Sequence, residues 1–149
     1  MSDNKKNIKK DKEEHFMTSI TTETESESTY HTPLSYLYEP NAAILKAGAF
    51  DSISKQLHIY KLNKHSHLYT KDTLIDFPGR RFQVEHIIPY NKKSLRNLAI
   101  SKANITTRNF PETVQQIRKK FKINDGGEIY LFFTTNINNK RVVIISKQL

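Results

Sequence analysis

The sequence has no cysteine, which excludes disulfides and thiolate-held metal centres and fits a cytoplasmic setting. Glycine is scarce: the four are Gly48, Gly79, Gly126 and Gly127, and none forms a G-x-G pair. A Rossmann-like cofactor fold needs such a turn after its first strand, so that backbone can approach the cofactor, and an acidic residue on the next strand for the ribose. Gly126-Gly127 follows an expected helix, the wrong context for that role. No apolar run approaches the roughly 18 residues that would span a bilayer. The charged N-terminus has no apolar stretch behind it, so neither a membrane anchor nor a secretory signal is expected. Hydrophobic residues make up 36% of the chain and its mean hydropathy is −0.65, as in polar soluble proteins. A length of 149 residues allows one domain, or two very small ones, around a modest core.

Acidic residues are the other shortage. The chain carries 24 lysines and arginines against 15 acids, a net of +9, and the excess is uneven. Residues 1–33 hold five lysines and seven acids, a net of −2, whereas residues 34–149 carry +11. From Phe77 onward 14 bases face 4 acids, a net of +10. A folded region this basic is a candidate for polyanion binding, although basic surface also serves solubility alone. Residues 1–33 are lysine-rich, then acid-rich, then a Ser/Thr/Glu run, and read as a disordered tail with too few apolar residues to offset ordering entropy.

Beyond the tail, Leu34 to Tyr38 is apolar and aromatic. Asn41 suits a helix N-cap, and Ala42 to Leu57 reads as a helix kinked or split near Gly48, with Ala43, Leu45, Ala49, Phe50, Ile53 and Leu57 on its apolar face. His67 to Thr70 reads as a short strand. Arg81 to Ile88 alternates, with Phe82, Val84, His86 and Ile88 on one side, so a strand is expected. A helix with Leu95, Leu98 and Ala99 opens at Asn91 or Lys92. Ala103 to Arg108 alternates as a strand. Pro111 fits a first helical position, so a helix over Glu112–Phe121 is expected, with Val114, Ile117 and Phe121 as its stripe and Asp125-Gly126-Gly127 as its stop. Strands over Ile129–Thr135 and Arg141–Ser146 complete the pattern. The order from Phe77 is βαβαββ, an α+β arrangement with two helices on one face of a mixed sheet.

Several stretches together resemble a known family. They are Arg108-Asn109-Phe110-Pro111, Lys122, Asp125-Gly126-Gly127, Tyr130-Leu131-Phe132 and Thr134-Thr135, preceded by YLYEPNAAILKAGAF from Tyr36, SHLYT from Ser66 and FPGR from Phe77. In this order they resemble the C-terminal region of bacterial class I S-adenosylmethionine-dependent methyltransferases: a helical ferredoxin-like segment followed by a THUMP-like domain. The resemblance covers roughly Leu34 to Lys147. The expected division is a tail (1–33), a small ferredoxin-like segment (34–76) and a THUMP-like domain (77–149). The resemblance implies a catalytic domain before Tyr36, for which this chain has no room. The chain alone is therefore expected to hold no S-adenosylmethionine and to be inactive, the cofactor belonging to the missing domain. It implies a region that holds RNA, tRNA or rRNA, for that domain. A module that only docks on the catalytic domain is the alternative.

The candidate RNA contacts are Arg80 and Arg81 after a Pro-Gly turn; Lys92, Lys93 and Arg96 on the first helix from Phe77; Arg108 at a strand end; and Arg118, Lys119, Lys120 and Lys122 at the end of the second helix. Their cations neutralise phosphates, and arginine can fork onto two oxygens. Arg108, Lys119 and Lys120 rank first, while Arg118 is also placed to brace the sheet edge. A-form RNA is read mainly through shape, phosphate and 2′-hydroxyl contacts, which suits such a surface.

A rival reading is catalytic. Val84-Glu85-His86-Ile87-Ile88-Pro89, followed by Asn97-Leu98, resembles the start of an HNH nuclease motif, with Glu85 on a divalent metal and His86 as the base. The third position on the following helix is missing, and such short motifs are frequent by chance. His65-Ser66-His67 has the two-residue spacing of ligands on one strand face, but no third ligand is near in sequence. Glu39-Pro40-Asn41 reads as a capping turn rather than the NPP-type turn of base methyltransferases, because the closing aromatic is absent.

Overall fold

The computed structural model describes residues 29–149; the expectation of a disordered tail lies, up to residue 28, outside them. The described chain starts with strand β1, Tyr36–Pro40. Asn41 caps helix α1, Ala42–Ala47, its side chain accepting from the Ile44 N–H, and Gly48 closes that helix in the left-handed region with φ 69°. Helix α2, Phe50–Leu57, follows at once, so the helix expected over Ala42–Leu57 is split at Gly48. Its buried apolar residues are Ile44, Ala49 and Ile53, joined by the buried Ser52 and Ser54, whereas Ala43 is exposed: the break rotates the second helix and resets the stripe. Short strands β2, Tyr60–Lys61, and β3, Tyr69–Lys71, complete the first part, which is thus less purely helical than expected.

Strand β4, Gly79–Pro89, helix α3, Lys92–Leu98, strand β5, Asn104–Arg108, helix α4, Val114–Phe121, and strands β6, Ile129–Thr135, and β7, Arg141–Gln148, form the second part. Helix α4 starts later than expected. Thr113 is its cap and forms a capping box with Gln116, which leaves Pro111 and Glu112 in the approach. Lys122, in the left-handed region at φ 54°, ends the helix before the two glycines.

Among the described residues seven strands form one sheet in the order β2-β3-β1-β4-β7-β6-β5. Only β5 and β6 pair in parallel; the other neighbours are antiparallel. The β1–β4 pairing carries the sheet from the first part into the second. It demands a glycine: a Cβ on Gly79 would lie 2.0 Å from the Glu39 carbonyl oxygen.

The two faces of β6 and β7 carry different cores. Leu131, Phe133, Val143 and Ile145 pack with Leu95, Ala103 and Ile117 under α3 and α4. Phe132 and Ile144 pack on the opposite face with Phe82 of β4 and with Leu37, Leu62 and Leu68 of the first part. A third cluster, Tyr38, Ile44, Ile53, Ile59, Tyr69 and Phe77, lies under α1 and α2. The register of β4 shifts between Val84 and His86. A bulge of this kind turns one extra residue out of the ladder and resets the alternation. Val84 and Ile88, expected on one face, consequently belong to opposite cores.

Candidate nucleic-acid interface

Arg80 and Arg108 meet on one buried carboxylate. The Arg80 Nε donates to Glu39 Oε1 at 2.6 Å, and an Arg108 terminal nitrogen donates to Glu39 Oε2 at 3.0 Å. The Glu39 side chain is only 8% exposed, against 42% for Arg80 and 30% for Arg108. Burying a carboxylate is unfavourable unless it is paired and hydrogen-bonded, and here both oxygens are engaged. The hydrogen bond to Glu39 raises the Arg80 pKa against the opposing effect of burial. The Arg80 guanidinium also lies over the rings of Phe82 and Tyr130, 5.3 and 5.6 Å from their centroids. Flat strands about 4.8 Å apart would put β1 and β5 roughly 19 Å from each other, four spacings away. A Glu–Arg contact between them requires the sheet to curl, so that Glu39 clasps its two halves. Two of the candidate cations are therefore committed to a carboxylate. Arg81 is likewise partnered, by the Ile75 carbonyl at 3.3 Å and by Asp76 at 4.0 Å.

Arg118 braces the edge of the fold. It donates to the carbonyls of Ala103 and Ile123 and pairs with Asp125 at 2.9 Å. The remaining candidates lie on the two helices. Lys92, Lys93, Arg96, Lys119, Lys120 and Lys122 are all exposed. The ends of α3 and α4 enclose a groove of about 280 Å³. Leu95, Leu98, Ile100, Phe121 and Ile123 form its apolar lining, and Arg96, Lys120 and Lys122 supply its charge; no acid lines it. The cations of this groove were legible in the sequence, but on separate elements. Lys120 is partly engaged, 3.3 Å from both the Tyr90 hydroxyl and Glu112. Those contacts, Tyr90 first, raise its pKa. The Tyr90 hydroxyl donates to Glu112 at 2.6 Å and holds that carboxyl below its usual range. Tyr90 also packs edge-on against Phe110, Phe121 and Phe133. This group ties the approach to α4 to the end of β4, and no periodicity in the sequence marks it.

Loops from both parts meet at Asn63. Its buried amide donates to the Asn136 carbonyl at 2.8 Å and to Asn139 Oδ1 at 3.1 Å, and its oxygen accepts from the His65 N–H at 3.0 Å. Ser66 donates to the Thr135 carbonyl at 2.8 Å, and Thr135 in turn donates to the Asn109 carbonyl at 2.6 Å. His67, Asn109 and Asn139 all adopt positive φ here. Ser66, Asn109 and Thr135 lie in the motif stretches, but no sequence pattern joins them to one another or to Asn63.

The nuclease-like segment forms the second half of β4. Glu85 stands at the bulge and pairs with Lys147 at 3.4 Å, and His86 is an exposed strand residue. Among the described residues no three His, Asp or Glu side chains are grouped to hold a metal ion. His65 and His67 do not share a strand face: His67 precedes β3, has φ 51°, and stacks on Phe50 with ring centroids 3.8 Å apart. Burial, then Lys61, lowers the His67 pKa. Glu39-Pro40-Asn41 is the capping turn expected, with the clasp as a further role.

Comparison with known proteins agrees with this architecture. Residues 36–78 match the model of a ferredoxin-like domain, and residues 79–148 match a THUMP domain-like model. No curated protein matches the chain. A crystal structure from Porphyromonas gingivalis W83, of a protein provisionally designated a methyltransferase, is similar at 37% identity with a TM-score of 0.81; the match covers 86% of this chain and 33% of that one. The chain thus spans about a third of that protein's length. No described helix is long and apolar enough to cross a membrane. On these matches, over nearly all of the described chain, the protein joins a member of a ferredoxin-like domain family to a member of a THUMP-like domain family.

Proposed function

We propose that the chain binds structured RNA through the α3–α4 face and presents it to a methyltransferase unit outside residues 1–149. The observation that carries this reading is the acid-free groove with Arg96, Lys120 and Lys122 around it, continued by exposed Lys92, Lys93 and Lys119. The THUMP-like match supports it, because it links the basic face to a domain class associated with RNA. Arg80 and Arg108 are assigned to the clasp, with their partly exposed guanidiniums a secondary contact. If six helix cations met phosphates, log K would fall against log salt with a slope of about −4 to −5.

The test is a titration of labelled tRNA and of an rRNA hairpin at several salt concentrations, with wild type and a Lys119→Glu/Lys122→Glu variant of matched melting temperature. Weaker binding with a shallower salt slope in the variant is expected; equal binding and slope would remove this face as the contact. The second reading, a docking module for the catalytic unit, is favoured by the groove's apolar lining, and absence of RNA binding by wild type at low salt would select it. Calorimetry with S-adenosylmethionine is expected to give no specific heat of binding. The missing G-x-G turn supports that expectation, and micromolar affinity would overturn it.

A further inference from the structure

A second concavity lies away from the α3–α4 face. Tyr30, the β2–β3 turn at Asn63, Lys64 and His65, and the β6–β7 turn at Ile137 and Asn139 border an open hollow of about 400 Å³. The space suits a single nucleotide in size. Its walls are unlike the groove's. Tyr30 and Ile137 are large apolar residues left 38% and 39% exposed. His65, Lys64 and Asn139 are exposed polar groups, and no acid lines the space. Its base is rigid, because the buried Asn63 amide fastens one turn to the other at Asn136 and Asn139. The Asn139 oxygen is spent on that bond, which leaves its amide N–H groups as donors.

We infer that this pocket receives an unpaired nucleobase of single-stranded RNA. Every base offers a π-face that stacks on aromatic side chains, and recognition of unpaired RNA combines such stacking with polar contacts to the base edge and cations near the phosphate. Tyr30 and His65 supply rings, Ile137 an apolar wall, Asn139 donors for a base edge and Lys64 the cation. Helical RNA cannot enter, since its bases are stacked and paired. The site therefore gives the protein a contact for an RNA end or loop beside the duplex-binding face. The inference rests on the RNA reading above, but one of its tests does not need that reading.

That test is NMR titration of the labelled protein with uridine and adenosine monophosphates. Shifts confined to the amides of residues 63–65 and 137–139 are expected, and their absence at millimolar nucleotide would overturn the assignment. The second test compares one RNA hairpin, blunt or with a short unpaired overhang, at fixed salt. The overhang should tighten binding about fivefold or more, the scale of one stacked base. Tyr30→Ala, and separately Ile137→Ala, should erase that advantage while leaving the blunt hairpin unaffected; both side chains are substantially exposed, and melts verify folding. Equal affinity for the two hairpins, or an overhang advantage that survives both substitutions, would sink the pocket while leaving the duplex reading intact. Failure of both hairpins to bind would sink the duplex reading, and the nucleotide titration would still decide the pocket.

Discussion

Glu39 accepts from two arginines on different strands, so neutralising it leaves two guanidiniums facing each other in a half-buried place. Breaking a fully buried pair typically costs about 3–5 kcal/mol. Arg80 and Arg108 are 42% and 30% exposed and can turn to water, so Glu39→Gln should cost less, about 1–3 kcal/mol. Urea unfolding measures it; a loss under about 0.5 kcal/mol would show that apolar packing alone closes the sheet. His67 supplies a pH dependence. Its folded pKa is below the ordinary 6.5, chiefly through burial, so between the two values the unfolded chain binds more protons. Stability is then complete above about pH 6.5 and falls as pH drops through the folded pKa. Melting temperature should decline between about pH 7 and pH 5 in wild type, and less in His67→Asn, a residue that tolerates φ 51° and does not titrate. An identical decline in both would assign the effect elsewhere. None of this was visible in the sequence, where Glu39 read as part of a turn and His67 as a strand residue. A turn motif announces local hydrogen bonds; it does not announce partners 41 and 69 positions away.

At the scale of elements, structure was legible in the sequence where a local rule was sufficient. Asn41 and Gly48 bound α1 because an acceptor side chain and a Cβ-free residue each satisfy one helix end. Helix α4 shows two local rules competing. Pro111 satisfies the preference for a first-turn proline, yet Thr113 and Gln116 form reciprocal bonds two residues later and set the start. The T-x-x-Q signal was present in the sequence and outranks the proline. Its other end separates stability from function. Lys122 holds a left-handed conformation at φ 54°, which costs a non-glycine residue about 1 kcal/mol, and its charge lines the groove. Lys122→Gly should leave the melting temperature unchanged or raise it slightly while weakening RNA binding severalfold. Unchanged RNA affinity in a fully folded variant would remove Lys122 from the interface. The bulge in β4 was illegible for a different reason: an alternating run cannot disclose one extra residue, because the register is set by β7 and not by β4.

For the molecule as a whole, the stretches that carried the family resemblance are largely those that join its two parts. Leu37, Tyr38 and Glu39 belong to the first block, Phe77, Gly79 and Arg80 to the second, and Arg108, Tyr130 and Phe132 to the third. In space they fall on the β1–β4 seam, in the clasp, and in the two apolar clusters that draw on the first part. Division of the sequence into 34–76 and 77–149 follows its motifs, but the apolar cluster of Leu37, Leu62, Leu68, Phe82, Phe132 and Ile144 draws on both. Residues 77–149 alone would expose Phe82, Phe132 and Ile144 to water. Uncovering large apolar side chains costs about 1.5–3 kcal/mol each, a loss comparable to the roughly 5–15 kcal/mol that a whole domain possesses. The expected result is that residues 29–149 unfold in urea as one transition, coincident by far-UV circular dichroism and tyrosine fluorescence, and that a 77–149 fragment shows no cooperative transition. Adding a 29–76 fragment should restore a cooperative transition. Two separated transitions in 29–149, or a fragment 77–149 that melts cooperatively by itself, would show that the shared sheet is an interface between independent domains. The outcome bears on function, because the proposed nucleotide pocket needs turns from both parts and the proposed duplex face needs only the second.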